Sequence, residues 1–266
     1  MKVNKIEHKR HWTRLITALV SVVVLGVGAV IAADKLHDIY LEQCILDNPS
    51  AQVTIACGKM VKANIIAENL GLCKGANLAT INFAKKREEL LAQIPNLRSV
   101  RITRRLPNKI NVVTEERIPV ARIIVKGNRN DIGRVVDTEG VVFFWLRDTQ
   151  GLPVIREAQQ TPKGRCISGR ARAALRLIEA CSEPELIELN VLEVDTLKRD
   201  FLTATLGNYS RVKILWENMD GDDSRDDLMP RLRNLRDAIR SNVAPRGVIW
   251  NATIPNRIFA DTQEKF

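Results

Sequence analysis

From Leu15 to Ala33 the chain reads LITALVSVVVLGVGAVIAA, 19 residues without a charge. At 1.5 Å of rise per residue that is about 28 Å of helix, just long enough to cross a bilayer. Lys2, Lys5, Lys9, Arg10 and Arg14 precede the run against the single acid Glu7, whereas Asp34, Lys35, Asp38, Glu42 and Asp47 follow it with an acidic balance. The positive-inside bias then puts the N-terminus in the cytoplasm and the bulk of the chain outside it. Small residues at Val30-Ile31-Ala32 and Ile31-Ala32-Ala33 leave a cleaved signal peptide as the rival reading, but the apolar core of such a peptide is usually only about 7–15 residues, so length favours an anchor. The expected layout is a cytoplasmic tail over 1–14, a transmembrane helix over 15–33 and a juxtamembrane linker or stalk over 34–50.

What remains suffices for one large domain or two small ones. The net charge is +10, of which the tail before the membrane carries five basic residues against one acid. Arginines recur at 165, 170, 172 and 176 and again at 231, 233, 236 and 240, and they read as solvated helix surface. Nucleic acid is a poor partner for a region outside the cytoplasm; anionic lipid or cell-wall polymer is easier to reach. All five cysteines, Cys44, Cys57, Cys73, Cys166 and Cys181, lie beyond the span. An oxidising compartment can pair them, with Cys57 and Cys73 flanking one predicted helix, or they are small buried thiols; spacing leaves both readings open.

Leu36, Ile39, Tyr40 and Leu46 continue at helical spacing, so the membrane helix is expected to extend outward until Pro49, with domain structure starting near Ala51. A strand is expected over 52–56, a helix over 61–70 ended by Gly71, and a second helix over 82–93 closed by Pro95-Asn96. Alternation over 97–104 and 110–116, around Leu106-Pro107-Asn108-Lys109, predicts a hairpin. The order strand, helix, helix, strand, strand suits a small antiparallel sheet backed by two helices over residues 51–117.

Beyond Pro119 strands dominate: 121–125, 134–136 and 141–146, the last two joined by the turn Asp137-Thr138-Glu139-Gly140, then an extended 151–155. A helix over 170–181 and strands over 189–194, 201–206 and 209–216 come next. Leu228, Leu232, Leu235 and Ile239 stripe a helix over 228–240. Strands over 248–254 and 257–260 close a second domain spanning 118–260, before a tail at 261–266. The fold class is thus α+β: one transmembrane helix, a β-α-α-β-β domain, and a mostly antiparallel sheet domain with a few packed helices. The last strand has no partner after it, and such an edge can accept a strand from another protein. Trp250, Thr253, Ile254, Asn256, Arg257 and Phe259 are the candidate partner-binding residues, with Ile258 beside them; the competing reading is that Ile258 and Phe259 simply close the core.

Catalytic patterns are scarce. His8, His11 and His37 all precede the predicted domains, which excludes Ser-His-Asp and Cys-His sites and histidine-ligated metal there. Glu115-Glu116, Asp137-Glu139 and Asp222-Asp223 are carboxylate pairs by proximity only; neighbours on a strand point to opposite faces, and turn carboxylates are expected to serve local hydrogen bonds. The run from Asp220 to Asp227 lacks EF-hand spacing and reads as a loop and helix cap. No cofactor, metal or enzymatic activity is expected.

The stretch IPNLRSVRITRRLPNKINVVTEERIPVAR, Ile94 to Arg122, resembles the junction between the POTRA domain and the next domain in the FtsQ/DivIB family of bacterial cell-division proteins. RVVDTEGVVF, Arg134 to Phe143, and GLPVI from Gly151 resemble two further family segments, while VIWNATI carries Asn251 and Thr253 where the family pattern has Asp and Arg. The resemblance implies a non-catalytic divisome scaffold in the bacterial inner membrane at the division septum. It further implies recruitment through the POTRA domain and binding of FtsB-like and FtsL-like single-span proteins by the C-terminal domain. The alternative is a POTRA-bearing envelope transport or secretion adaptor.

Overall fold

The computed structural model describes the backbone of residues 4–105, 107–125, 133–219, 225–241 and 248–261, and the side chains of all these except 4–18, 225–226 and 261. The Asp222-Asp223 pair and the imidazoles of His8 and His11 therefore lie outside the described residues. The chain divides into two compact units, the first comprising 1–90 and 100–114, the second 91–99 and 115–266.

The first unit begins with helix α1, Asn4–Gln43, 40 residues that contain the uncharged run and extend ten residues past it. Val22, Leu25 and Val30 are each more than 60 % exposed, so no described part of the chain covers this apolar surface. A helix satisfies its own backbone hydrogen bonds, which lipid cannot do for it, and 25 residues over Leu19–Gln43 are long and apolar enough to span. α1 stops at Gln43, before Pro49, and packing reaches back ahead of Ala51: Cys44 and Leu46 are fully buried. Their backbone explains why, since Leu46 N–H donates to Ala76 O and Leu78 N–H to Cys44 O, both at 2.9 Å. Pro49 opens the one-turn helix α2, Pro49–Gln52, where a proline's missing N–H costs nothing.

Strand β1, Val53–Ala56, is followed by α3, Ala63–Leu70, and α4, Phe83–Gln93, then by β2, Leu97–Arg105, and β3, Lys109–Glu116. Gly71 ends α3 at φ 72°, in the left-handed region. The sheet order is β1-β3-β2, and β1 runs parallel to β3, with Val53 beside Ile110 and Ile55 beside Val112. The expected all-antiparallel sheet is thus corrected to a mixed one. The helices between β1 and the hairpin form a crossover long enough to return the chain in the same direction, and side-chain alternation is blind to strand direction.

The second unit holds a nine-stranded sheet ordered β12-β11-β10-β9-β8-β7-β4-β5-β6. Its strands are β4 Ala121–Val125, β5 Arg134–Val136, β6 Val142–Phe144, β7 Val154–Glu157, β8 Val191–Asp195, β9 Leu202–Leu206, β10 Arg211–Ile214, β11 Ile249–Ala252 and β12 Phe259–Asp261. Five of the eight pairings are antiparallel and three, β4 with β7, β7 with β8 and β10 with β11, are parallel. Helices α5, Gly169–Cys181, and α6, Arg225–Arg240, pack on one face. That face supplies the alternating buried residues Leu202, Ala204 and Leu206, then Val212 and Ile214, then Trp250 and Ala252. Ala171, Ala174, Leu175 and Ile178 on α5 and Leu228, Leu232 and Leu235 on α6 bury the predicted stripes against them. Ser168 caps α5 by accepting a hydrogen bond from Ala171 N–H at 3.2 Å.

Candidate functional site: an open sheet edge

A nine-stranded open sheet has two edges, and each leaves a row of backbone donors and acceptors to be satisfied. At the β6 edge the chain does this itself. Gly164 N–H donates to Val142 O at 2.8 Å, Val142 N–H to Arg165 O at 3.0 Å, and Ile167 N–H to Gly140 O at 2.9 Å. At the other edge β12 pairs with β11 through three register positions, Asn251 with Phe259, Trp250 with Ala260 and Ile249 with Asp261. No strand among the described residues lies on its far side.

The six candidate residues gather at this edge but are not equivalent. Ile254 and Phe259 are exposed at 46 % and 42 %, with Arg257 and Asn256 exposed between them. Asn256 turns the chain at φ 56°, a left-handed conformation that asparagine tolerates. Thr253 is half-buried; its N–H and Oγ1–H both donate to Asn251 Oδ1, at 3.1 and 2.8 Å. Trp250 stands apart: it is 8 % exposed and belongs to the core. Ile258, just before the strand, is half-buried against that core, whereas Phe259 pairs with Asn251 and points to the opposite face, where no helix lies among the described residues. The closing-the-core reading therefore describes Ile258 and not Phe259, while Trp250, a candidate for partner binding, is itself a core residue.

A residue the sequence did not single out lies directly behind the edge. Arg231 on α6 is 5 % exposed and not solvated helix surface. Its Nε and Nη2 donate to Asp227 Oδ2 at 3.1 and 2.8 Å, and its Nη1 lies 3.4 Å from the carbonyl oxygens of both Ala252 and Thr253. A signal was present: position 231 is three residues after Leu228 and four before Leu235, on the core-facing side of the helix. Asp227 titrates below the usual carboxylate range; burial opposes this, but the hydrogen bonds from Arg231 and Glu217 N–H prevail. Arg233 and Arg240 do sit at the surface, paired with Glu185 and Glu188, and hold both carboxyls below the usual range.

The carboxylate pairs serve ion pairs rather than each other. Asp137 Oδ1 accepts from Glu139 N–H at 3.1 Å and Val141 N–H at 2.8 Å, as a turn residue should, while its other oxygen meets Arg117. Glu139 contacts Arg117 at 2.7 Å and Arg98 at 2.8 Å, and Arg98 reaches Glu115 at 3.4 Å. Hydrogen bonds from Arg117 and then Arg98 keep Glu139 ionised below its ordinary range. Among the described residues no group of three or more His, Cys, Asp or Glu side chains is placed to hold a metal ion. All five cysteines are free thiols; burial pushes Cys181 up to about 12, which removes it as a nucleophile. An open cleft of about 510 Å³ beside Val120, Arg122, Ile178 and Cys181 contains a single cation, Arg122, and no acid–base pair.

Residues 48–117 match the POTRA domain of FtsQ type. The chain is also similar to the cell division protein DivIB of Clostridium acetobutylicum, with 28 % identity over 104 residues. The match covers 39 % of this chain and 40 % of that protein, so the chain aligns with well under half the length of this curated relative.

Proposed function

We propose that this chain is a cell-division protein of the FtsQ/DivIB family and that it acts as a non-catalytic scaffold of the divisome, presenting the β12 edge to single-span division proteins of the FtsB and FtsL kind. The observation that carries the reading is the asymmetry of the large sheet: segment 164–167 covers the β6 edge, and β12 is left bare among the described residues. A sheet edge offers main-chain hydrogen bonds to any extended segment, and exposed Ile254, Arg257 and Phe259 add side-chain contacts that select among them. The described strand is three residues long, and Pro255 sits in the turn that leads into it. The basic tail favours α1 crossing the inner membrane with the N-terminus inside and residues 51–260 outside, and the septal location follows from the family reading. Residues 51–117 serve recruitment and 118–260 serve partner binding in this reading.

Full-length protein purified from the membranes of its host should carry single-span division proteins identifiable by mass spectrometry. Ile254→Glu, Arg257→Glu and Phe259→Pro should each reduce that capture at least fivefold, and a fluorescent fusion should collect at midcell. Undiminished capture by all three variants would sink the edge proposal; a fusion spread evenly around the envelope would instead favour a transport adaptor.

A further inference from the structure

Resting on the reading of β12 as the partner-binding edge, we infer that Arg231 is the residue that positions this edge, tying its presentation to helix α6. β11 ends at Ala252, and only six residues, 253–258, separate it from β12. A strand's last carbonyls lose their ladder partners where the sheet ends, so the Ala252 and Thr253 oxygens need donors from elsewhere. Arg231 supplies both from one nitrogen at 3.4 Å, while its other two contacts fix the guanidinium on Asp227. Asp227, itself part-exposed, in turn accepts from Glu217 N–H at 3.3 Å, so the chain after β10, the start of α6 and the end of β11 meet at one ion pair whose arginine is buried. Beyond that point the turn holds itself lightly, through the paired hydrogen bonds of Thr253 to Asn251 and one from Arg257 N–H to Ile254 O at 3.3 Å. The entry to the turn is therefore anchored to α6, and its exit rests on the half-buried Ile258 and three register positions. A planar five-donor fork can serve a carboxylate and two carbonyls at once; an ammonium on a flexible stem cannot hold that geometry.

The test is hydrogen exchange on the full-length protein in lipid nanodiscs, comparing the parent with Arg231→Lys, Arg231→Met and Asp227→Asn. The amides of 253–261 should exchange at least tenfold faster in Arg231→Met and to a smaller extent in Arg231→Lys, with those of β8 and β9 unchanged. Should Arg231→Met not fold, Arg231→Lys and Asp227→Asn carry the comparison. Exchange at 253–261 that matches the parent, or that rises equally across β8 and β9, overturns the inference. Failure of the underlying reading shows separately: Phe259→Pro would leave partner capture intact whatever the exchange rates of the Arg231 variants.

Discussion

Glu157 faces the helix side of the second sheet, where Ser168 Oγ and Thr161 Oγ1 donate to it at 3.1 and 3.3 Å. Burial nonetheless dominates and raises its carboxyl above the ordinary range. A carboxyl raised on folding holds its proton more tightly in the native state, so its contribution is present below the unfolded value near 4.3 and is lost as pH rises through the folded one. Glu157→Gln removes that loss, so its Tm relative to the parent should climb between pH 4 and pH 7; a difference that stays constant with pH would refute this. Glu139 has the opposite sign, its stabilisation being present above the unfolded value and lost on acidification through the folded one. The more costly change in that cluster is Arg117→Met. It strands Asp137, whose side chain is 5 % exposed, and should destabilise by about 3 kcal/mol in denaturant unfolding. The turn at 137–140 was legible in sequence because Asp and Gly announce it locally, and Gly140 does adopt φ 77°. Arg117 reaching Asp137 was not, since nothing in a strand pattern tells which distant carboxylate a cation will meet. Arg231 was misread for a similar reason: four arginines on one helix look alike until the packing face is fixed.

Periodicity located the elements because burial imposes it. The stripe Leu228, Leu232, Leu235 points into the core, and Leu232 is 1 % exposed. Leu232→Ala should cost about 2–5 kcal/mol, measured as a shift in the denaturant midpoint without change of slope. α6 starts three residues ahead of the expected 228, so Pro230 falls in its interior at the loss of one backbone hydrogen bond, which the buried apolar stripe outweighs. Strand direction is the property alternation leaves out, which is why β1 beside β3, and β4, β7 and β8 together, proved parallel. The β12 edge was visible as a final strand with no later partner, but the cover over β6 was not. Segment 164–167 has no alternation of its own and borrows its conformation from Val142.

At the scale of the molecule, one helix determines where the rest operates. Membranes washed with alkaline carbonate should retain the intact protein, and release of the full-length chain into the supernatant would mean that α1 does not span. Confinement to one bilayer raises the effective concentration of any other single-span protein, so an edge of three residues can bind usefully where the same contact in solution would be weak. The span, the POTRA domain and a β12 strand left uncovered among the described residues are joined by the proposal of a tethered platform that recruits by strand addition. A photo-crosslinking residue placed at Phe259, and separately at Arg165 on the self-covered edge, tests it most directly in living host cells. The account predicts adducts with single-span division proteins from position 259 and none from 165; adducts from 165 alone, or equal yields from both, would contradict it.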